Sequence, residues 1–218
     1  MKGKAGTTVR ESLISTPNGS VRVYGPASPG EIESSKMDAS LKCFRQPEKQ
    51  KNSLVEIAVL PGGQVFIAVC KSVIVGYVTF HPPEKFERWG QGGIQNILEL
   101  GAVEVSRHYR SLGLARALME VAFRDGAMED YIVIATEYYW HWDLEGSGLL
   151  VWEYRKMLEL IMAGVGLKPK ETNDPEINAH PANVLMVRLG KNVSVEDADA
   201  FEELCRRPED SGPLYFDA

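Results

Sequence analysis

The sequence predicts an α/β domain of the α+β type, in which helices flank a central mixed sheet of about six to seven strands. Runs rich in β-branched residues, separated by turn signals, occupy residues 21–81. A strand, a helix and a second strand follow one another between Ile97 and Thr136. Because such a unit places its two strands parallel in one sheet, while hairpins are antiparallel, the sheet contains both strand directions.

The composition is that of an ordinary folded chain. Of the 218 residues, 44% are hydrophobic and 25% are charged, and no repeat or linker interrupts them. We therefore expect one domain over residues 1–218, with its core at about 20–190 and a closing helix at 194–207. No apolar run approaches the length of a membrane span, and the N-terminus lacks the apolar segment of a secretory signal.

The charge balance excludes one class of function. The formal net charge is −6 and no basic stripe is present, which argues against binding to nucleic acid. An acidic surface is compatible with a cationic or lysine-bearing substrate. The three cysteines, Cys43, Cys70 and Cys205, show no C-x-x-C spacing, so we expect free thiols in the reducing cytoplasm.

Turn signals divide the first part of the chain. An Asn-Gly turn opens a strand at Val21–Tyr24, and a Ser-Pro pair with Ser28 as N-cap begins a short helix. A second helical segment over residues 46–60 ends at a Pro-Gly-Gly turn. Residues 64–69 and 72–81 then have the pattern of an antiparallel hairpin.

The centre of the chain is the most informative part. The apolar run Ile97–Val105 predicts a strand that carries two glutamates, and Tyr131–Thr136 predicts a second buried strand. Between them, apolar residues at helical spacing mark one buried helix face: Leu114, Ala117, Leu118 and Val121. A second helical face runs from Val151 to Val165, followed by a last strand at 184–190 and a helix capped by Ser194.

The junction between the first central strand and its helix reads Arg110-Ser-Leu-Gly113-Leu-Ala115. The first turn of a helix leaves backbone N–H groups unpaired and favours negative charge. Gly113 permits a close backbone approach and the small Ala115 keeps the surface open, so the loop suits a pyrophosphate. It is neither a Walker A loop nor a three-glycine Rossmann fingerprint. A turn that needs glycine for packing alone is the alternative.

The segment Glu99–Phe123 resembles the acetyl-CoA-binding core of the GNAT family of N-acetyltransferases, whose loop reads Gln/Arg-x-x-Gly-x-Gly/Ala. The order of elements over residues 20–190 is similar to that family, in which the fourth and fifth strands splay apart. The stretches LELGAVEV, MEDYIVIATEYYWHWDLEGSGLLVWEYRKM and EINAHPANVLMVRLGKNVS extend the resemblance to one bacterial member over nearly the whole chain.

The resemblance implies a set of residues that bind acetyl-CoA. The pyrophosphate is expected on the loop amides, and the pantetheine beside the end of the first central strand, where it splays from the second. The implied binding residues are Val103, Val105, Arg110, Ser111, Leu112, Gly113, Leu114 and Ala115. A lysine amine then attacks the thioester directly, which requires a base, an oxyanion donor and an acid for the leaving thiolate.

Glu99 and Glu104 are the two candidate bases. Both lie on an apolar strand, where burial of a lone carboxylate raises its pKa. Strand alternation puts them on opposite faces unless a bulge intervenes. The resemblance favours Glu99, which lies eleven residues before Arg110, as the glutamate base does in histone-acetylating members. A salt-bridged or edge-exposed role for either glutamate is the alternative.

The general acid departs from the family pattern. Members often use a tyrosine on the helix after the fifth strand, and the resemblance puts that position at Met162. The remaining candidates are Tyr154, earlier on the same helix, and Tyr138 or Tyr139 at the end of the preceding strand.

The stretch Thr136–Gly148, TEYYWHWDLEGSG, is dense in aromatic rings. Its position just past the splayed strand favours a surface that is part pocket wall and part core. Tyr138 or Trp140 is expected along the aliphatic stem of the acceptor lysine, with Asp143 or Glu145 attracting its charge.

The resemblance implies a protein-lysine acetyltransferase that uses acetyl-CoA as co-substrate and no metal. Its implied partner is AMP-forming acetyl-CoA synthetase, which acetylation inactivates in the control of acetoin and acetate metabolism. The spacing of Asp174, Glu176 and His180 matches no strong metal signature. Two alternatives stay open, a small-amine acetyltransferase and a non-catalytic acyl-CoA-binding regulator, and so does a homodimer.

Overall fold

The computed structural model describes residues 9–208, so residues 1–8 and 209–218 of the expected domain lie outside the described residues. The strands are β1 (Arg10–Thr16), β2 (Gly19–Gly25), β3 (Lys36–Met37), β4 (Gln64–Cys70), β5 (Val73–His81), β6 (Ile97–Val105), β7 (Ile132–Glu137), β8 (Lys168–Lys170) and β9 (Val184–Leu189). The helices are α1 (Pro29–Ser34), α2 (Pro47–Val59), α3 (Leu114–Phe123), α4 (Leu144–Ser147), α5 (Val151–Ala163), α6 (Pro175–Asn178) and α7 (Val195–Arg206).

All nine strands form one mixed sheet in the order β1-β2-β4-β5-β6-β7-β9-β8, with β3 beside β5. The pairs β3–β5 and β6–β7 are parallel and the others are antiparallel, which confirms the predicted mixed α/β architecture. The sequence predicted about six to seven strands; the additional ones are β1, β3 and β8. Two of these three are very short, and β1 alternates polar residues, so none has the apolar run of an internal strand.

The sheet opens between β6 and β7. These strands pair only where Ile97–Glu99 lies beside Ile132–Ile134, at the start of each strand. Beyond that point β6 continues along β5, whereas β7 continues along β9. This divergence confirms the predicted splay and leaves a gap between the two carboxyl ends.

A bulge at Gly101 determines which way the glutamates of β6 face. The register with β5 shifts there, because Phe80 pairs with Leu100 while Thr79 pairs with Ala102. As a result Glu99 lies opposite His81 and Glu104 lies opposite Tyr77, two residues on the same face of β5. Both glutamates therefore project from the same face of the sheet, because the bulge interrupts the alternation of side chains along β6.

The two faces of the sheet bury different cores. The predicted helix face of Leu114, Ala117, Leu118 and Val121 is buried against one side, on which α5 also packs through Met162. The opposite side is covered by α1 and α2, through Ile32 and Leu54, and by Trp89 and Phe201 near the open end. Glu99 and Glu104 belong to this opposite side, and the α3 side carries the loop that begins the helix.

The predicted helix caps are present. Ser28 accepts from the backbone N–H of Glu31 while the Glu31 carboxylate accepts from the backbone N–H of Ser28, which is a capping box. Ser194 caps α7 through the N–H of Asp197. The three cysteines are free thiols, as the spacing predicted. Among residues 9–208, no helix combines the length and the apolar character that crossing a bilayer requires.

Candidate active site

The loop before α3 presents an uncapped helix N-terminus. Gly113 is the N-cap residue, adopts the left-handed conformation with φ 81°, and has no side chain that could cap the helix. A Cβ placed on Gly113 would meet no atom within 4 Å, so the space above it is open. Ser111 also has a positive φ, of 60°, which turns the loop sharply. The first-turn amides of Leu114 and Ala115 therefore face an open site that suits an anion.

Arg110 extends this site with a guanidinium that is only partly satisfied. Its Nη2 lies 2.6 Å from Oδ2 of Asp143, and its Nε donates to the Val105 carbonyl at 3.4 Å. Its Nη1 is buried and has no hydrogen-bond partner among the described residues. Arg107 lies 3.8 Å from the other oxygen of Asp143. An unpaired buried donor beside an uncapped helix start fits a pyrophosphate ligand.

The remaining residues implied to bind acetyl-CoA lie on β6, in the loop and at the start of α3. Val103 and Val105 are on the part of β6 that has left β7, and both pack against the α3-side core. Leu112 is half-buried in the loop, and Leu114 is buried under the helix. The surface between the loop and the gap is therefore apolar along β6, and the backbone N–H groups at the start of α3 lie at its beginning.

Glu99 lies at the last paired position of β6, at the entrance of the gap. It is half-buried, and its Oε1 accepts a hydrogen bond from the Thr136 hydroxyl at 3.0 Å. Burial raises the pKa of the Glu99 carboxyl, and the negative charge of Glu87 raises it further. The neighbouring His81 and the bond from Thr136 act in the opposite direction and lower this pKa.

Glu104 is buried and both of its carboxylate oxygens are held. Oε2 accepts from the hydroxyl of Tyr77 at 2.6 Å, and Oε1 accepts from the backbone N–H of Cys43 at 2.9 Å. Burial, together with this carboxylate, raises the pKa of the Tyr77 hydroxyl and raises the pKa of the Cys43 thiol to about 12. Glu104 thereby joins the loop between β3 and α2 to the middle of the sheet.

Two of the three candidate tyrosines, Tyr138 and Tyr154, lie on opposite sides of the sheet. Tyr138 packs on the Glu99 side and stacks on Trp140, with ring centroids 4.9 Å apart. Tyr154, near the start of α5, stacks on Trp142 with centroids 5.3 Å apart and an interplanar angle of 16°. Burial raises the pKa of both hydroxyls. Met162, at the position implied for the family's acid, is buried in the α3-side core.

One carboxyl at the gap was missed by the sequence reasoning. Glu137 ends β7, and its Oε2 accepts a hydrogen bond from the indole Nε1 of Trp142 at 3.1 Å. Burial raises the pKa of the Glu137 carboxyl to about 7. The alternation of side chains along β7 could have indicated it. Thr136 faces Glu99, so the side chain of Glu137, the next residue, must face α3.

Asp143 links the aromatic segment to the arginines of the loop. Asp143 caps α4 by accepting from the N–H of Gly146 at 3.0 Å, and it is paired with Arg110 and Arg107. Burial opposes the charge of Asp143, but its bond with Arg110 lowers the pKa of the carboxyl overall. Glu145 is exposed on the same short helix. The carboxylate of Asp143, which was expected to attract a lysine, is thus already paired with two arginines.

The polar side chains of Asp174 and His180, around α6, have structural roles. Asp174 caps α6 and lies 3.2 Å from Nε of Arg88, and His180 packs against the ring of Tyr139 at 4.1 Å between centroids. Within residues 9–208, no three His, Cys, Asp or Glu side chains are grouped as metal ligands. A surface cavity of about 750 Å³ lies beside this segment, lined by residues of β8, α6, β9 and α7.

Known proteins with similar sequences and structures agree on one family. Residues 34–141 match the model of the acetyltransferase (GNAT) family. The acetoin utilization protein AcuA of Bacillus licheniformis is 47% identical over 197 residues, covering 90% of this chain and 94% of the relative. That of Bacillus subtilis is 45% identical over the same shares. The crystal structure of an acetoin utilization protein from Exiguobacterium sibiricum is 44% identical, with a TM-score of 0.90 over 94% of this chain and 97% of that one.

Proposed function

The chain belongs to the acetyltransferase (GNAT) family and is an acetyl-CoA-dependent N-acetyltransferase, and we propose that its acceptor is a protein lysine, in the first place one on AMP-forming acetyl-CoA synthetase. The names of the relatives support a role in acetoin utilization. The synthetase is proposed from the resemblance of the chain to this group. The site supplies the arguments for the chemistry.

The observation that carries the proposal is the pairing of an anion site with an available carboxyl across one gap. The loop amides from Ser111 to Ala115 and the guanidinium of Arg110 are proposed to hold the pyrophosphate. Val103 and Val105 are proposed to line the pantetheine path. When bound there, acetyl-CoA supplies an activated thioester carbonyl at the gap.

Glu99 is proposed as the general base. A lysine ammonium has a pKa near 10.4 and must lose a proton before its nitrogen can attack. Glu99 has one oxygen bonded to Thr136, and no other side-chain hydrogen bond within residues 9–208 reaches its carboxyl. Burial and the charge of Glu87 raise its pKa, which strengthens it as a base. Glu104 is proposed to act as a tether for the β3–α2 loop, since both of its oxygens are engaged.

The aromatic rings on the Glu99 side are proposed to receive the lysine stem. Tyr138 stacks on Trp140, which is half-exposed, beside the hydroxyl that bonds Glu99. Flat apolar rings suit the methylene chain of a lysine while the ammonium continues to the carboxylate. Neutralising a lysine in this way removes a charge and a donor from the target, a physical route to its inactivation.

The experiment that tests the proposal combines the purified protein, acetyl-CoA and purified AMP-forming acetyl-CoA synthetase. We expect one dominant acetyl-lysine in the synthetase, located by mass spectrometry, and a parallel loss of synthetase activity. A Glu99→Gln variant is the control for non-enzymatic acetylation. Release of CoA with small amines, but no acetylated synthetase, would contradict the proposed acceptor and favour a small-amine acetyltransferase.

A further inference from the structure

Glu137 occupies a distinctive position inside the gap. It lies beyond Ile134, the last residue of β7 that pairs with β6, so its backbone borders the opening. Alternation along β7 places Glu137 on the same face as Val133 and Ala135, both of which belong to the α3-side core. Val103 and Val105 pack on that same core from the other side of the gap.

The gap therefore has one carboxyl on each face. Glu99 and its partner Thr136 lie on the face from which the lysine is proposed to arrive. Glu137 lies on the face along which the pantetheine is proposed to run. A group at the centre of the gap would have a carboxyl on either side, in two different surroundings.

Glu137 is held at one oxygen only. Trp142 donates to Oε2 at 3.1 Å, and no other side-chain hydrogen bond to this carboxyl occurs within the described part of the chain. The indole of Trp142 is itself fixed by its stacking on Tyr154. On β9 the register partner of Glu137 is the apolar Val184. One carboxyl oxygen is thus oriented and the other remains available.

The titratable groups around Glu137 leave it without a counter-charge. Tyr154 on α5 interacts electrostatically with Glu137, and also with Arg110, Asp143 and Cys43. Arg110 pairs with Asp143, and only burial and the bond from Trp142 act on the pKa of Glu137. Burial consequently dominates and raises the pKa of Glu137 to about 7, although the bond from Trp142 favours the charged form.

We propose that Glu137 donates the proton that the sulfur of CoA takes up as it leaves. This inference rests on the proposed function in one respect, the direct attack of an amine on the thioester. As the N–C bond forms and the C–S bond breaks, the electron pair of the latter passes to sulfur. The O–H bond of Glu137 then breaks and an S–H bond forms. Glu137 is left as a carboxylate, which takes up a proton from solvent. The acceptor nitrogen loses two protons, one to Glu99 before the attack and one to solvent water as the amide forms.

This assignment explains the departure at Met162, which has no proton to donate and is buried in the core. Tyr154 stacks on Trp142, beside Glu137. Burial raises the pKa of its hydroxyl above the ordinary value, so the hydroxyl holds its proton more tightly. A carboxyl that is half-protonated near neutral pH is the better donor to a thiolate. Tyr154 then orients Trp142, which in turn orients Glu137.

The first test replaces Glu137→Gln, which keeps an oxygen for the bond from Trp142 but has no acidic proton. We expect kcat to fall by about 10²-fold or more while the KM for acetyl-CoA changes little. The wild-type kcat should decline as pH rises through the pKa of Glu137, and this alkaline decline should be absent from the variant. Glu120→Gln, which changes an exposed carboxyl on α3, is the matched control and should keep the wild-type profile.

A second variant changes the profile without removing the acid. Trp142→Phe keeps a ring on Tyr154 but removes the hydrogen bond that favours the carboxylate. The pKa of Glu137 should rise, so the alkaline decline should move to higher pH. Tyr154→Phe should keep the decline, because the proposed donor is unchanged.

Two outcomes of the pH profiles would overturn the proposal. One is a Glu137→Gln enzyme with the wild-type pH profile, and the other is a Tyr154→Phe enzyme that alone loses the alkaline decline. Loss of CoA binding together with kcat in Glu137→Gln, measured by calorimetry, would also overturn it, because it would indicate a role in binding. The rates come from CoA release with whichever amine the wild type accepts, so failure of the proposed acceptor is separate from failure of this inference.

Discussion

The two ends of β6 carry the same residue type on the same face of the sheet, yet their surroundings differ. Glu99 lies at the entrance of the gap, half-buried, with one bond from the Thr136 hydroxyl. Glu104 lies beyond the bulge, buried, with bonds from the Tyr77 hydroxyl and from a backbone amide. The difference is in the number of donors that face each carboxylate.

Donor number decides what a buried carboxylate can do. Each hydrogen bond to the charged form stabilises it, and a carboxylate held at both oxygens fixes the elements that supply the donors. A carboxylate that is poorly solvated and has few donors binds a proton more readily. Glu104 therefore resembles a structural link, whereas Glu99 retains the chemistry of a base.

The largest expected effect comes from Glu99→Gln. We expect kcat to fall by about 10²- to 10⁴-fold, because the amide cannot accept the ammonium proton. The free energy of unfolding should not decrease, since the amide oxygen can still accept from Thr136 and a poorly solvated charge has been removed. Steady-state CoA release and urea denaturation measure the two quantities. A variant that retains near-full kcat across neutral pH would count against Glu99 as the base.

Glu104→Gln should show the reverse pattern. Both groups that face this carboxylate are donors, so an amide must turn its NH₂ toward one of them. We expect a loss of about 1–3 kcal/mol in the free energy of unfolding, and a change in kcat of the folded protein far smaller than in Glu99→Gln. Tyr77→Phe, which removes one donor, is the matched variant and should destabilise by a similar route. Equal stability of Glu104→Gln and wild type in urea would refute the tether.

The contrast between the two glutamates could not be predicted from the sequence. The donors to Glu104 come from residues 27 and 61 positions earlier in the chain, and only the folded sheet brings them together. The bulge at Gly101 was equally hidden, because a single glycine in an apolar run is compatible with an ordinary strand. Local patterns predicted α2, α3, the hairpin and the helix caps, since their signals lie within a few residues.

The edge strand β1 also could not be predicted from local sequence patterns. β1 was missed because its sequence, RESLIST, is mostly polar. Its place depends on Arg10, a buried side chain that donates to the Ala122 carbonyl at 2.7 Å, 112 residues away, and lies over the Phe66 ring. The loop Arg110–Ala115 was predictable for the opposite reason, because a helix N-terminus creates its anion site by backbone geometry alone.

The smallest expected effects come from two neighbours of Glu99, and their signs are opposite. The negative charge of Glu87 raises the pKa of Glu99, so Glu87→Gln should lower that pKa. The bond from Thr136 favours the carboxylate, so Thr136→Val should raise it. Because a base is active only when deprotonated, kcat falls as pH is lowered through this pKa. That acid limb should move to lower pH in Glu87→Gln and to higher pH in Thr136→Val, with kcat at neutral pH changing less than about tenfold.

The opposite signs make this pair a test of which end of β6 holds the base. If Glu104 were the base, neither change would move the acid limb, because its two donors are Tyr77 and the Cys43 amide. If both variants moved the limb in the same direction, a general disturbance of the gap would be indicated. Profiles of kcat against pH for the wild type and both variants, at saturating acetyl-CoA and amine, distinguish these cases. A divergence in the stated directions requires a titrating group that faces both Glu87 and Thr136, and Glu99 is the carboxyl so placed.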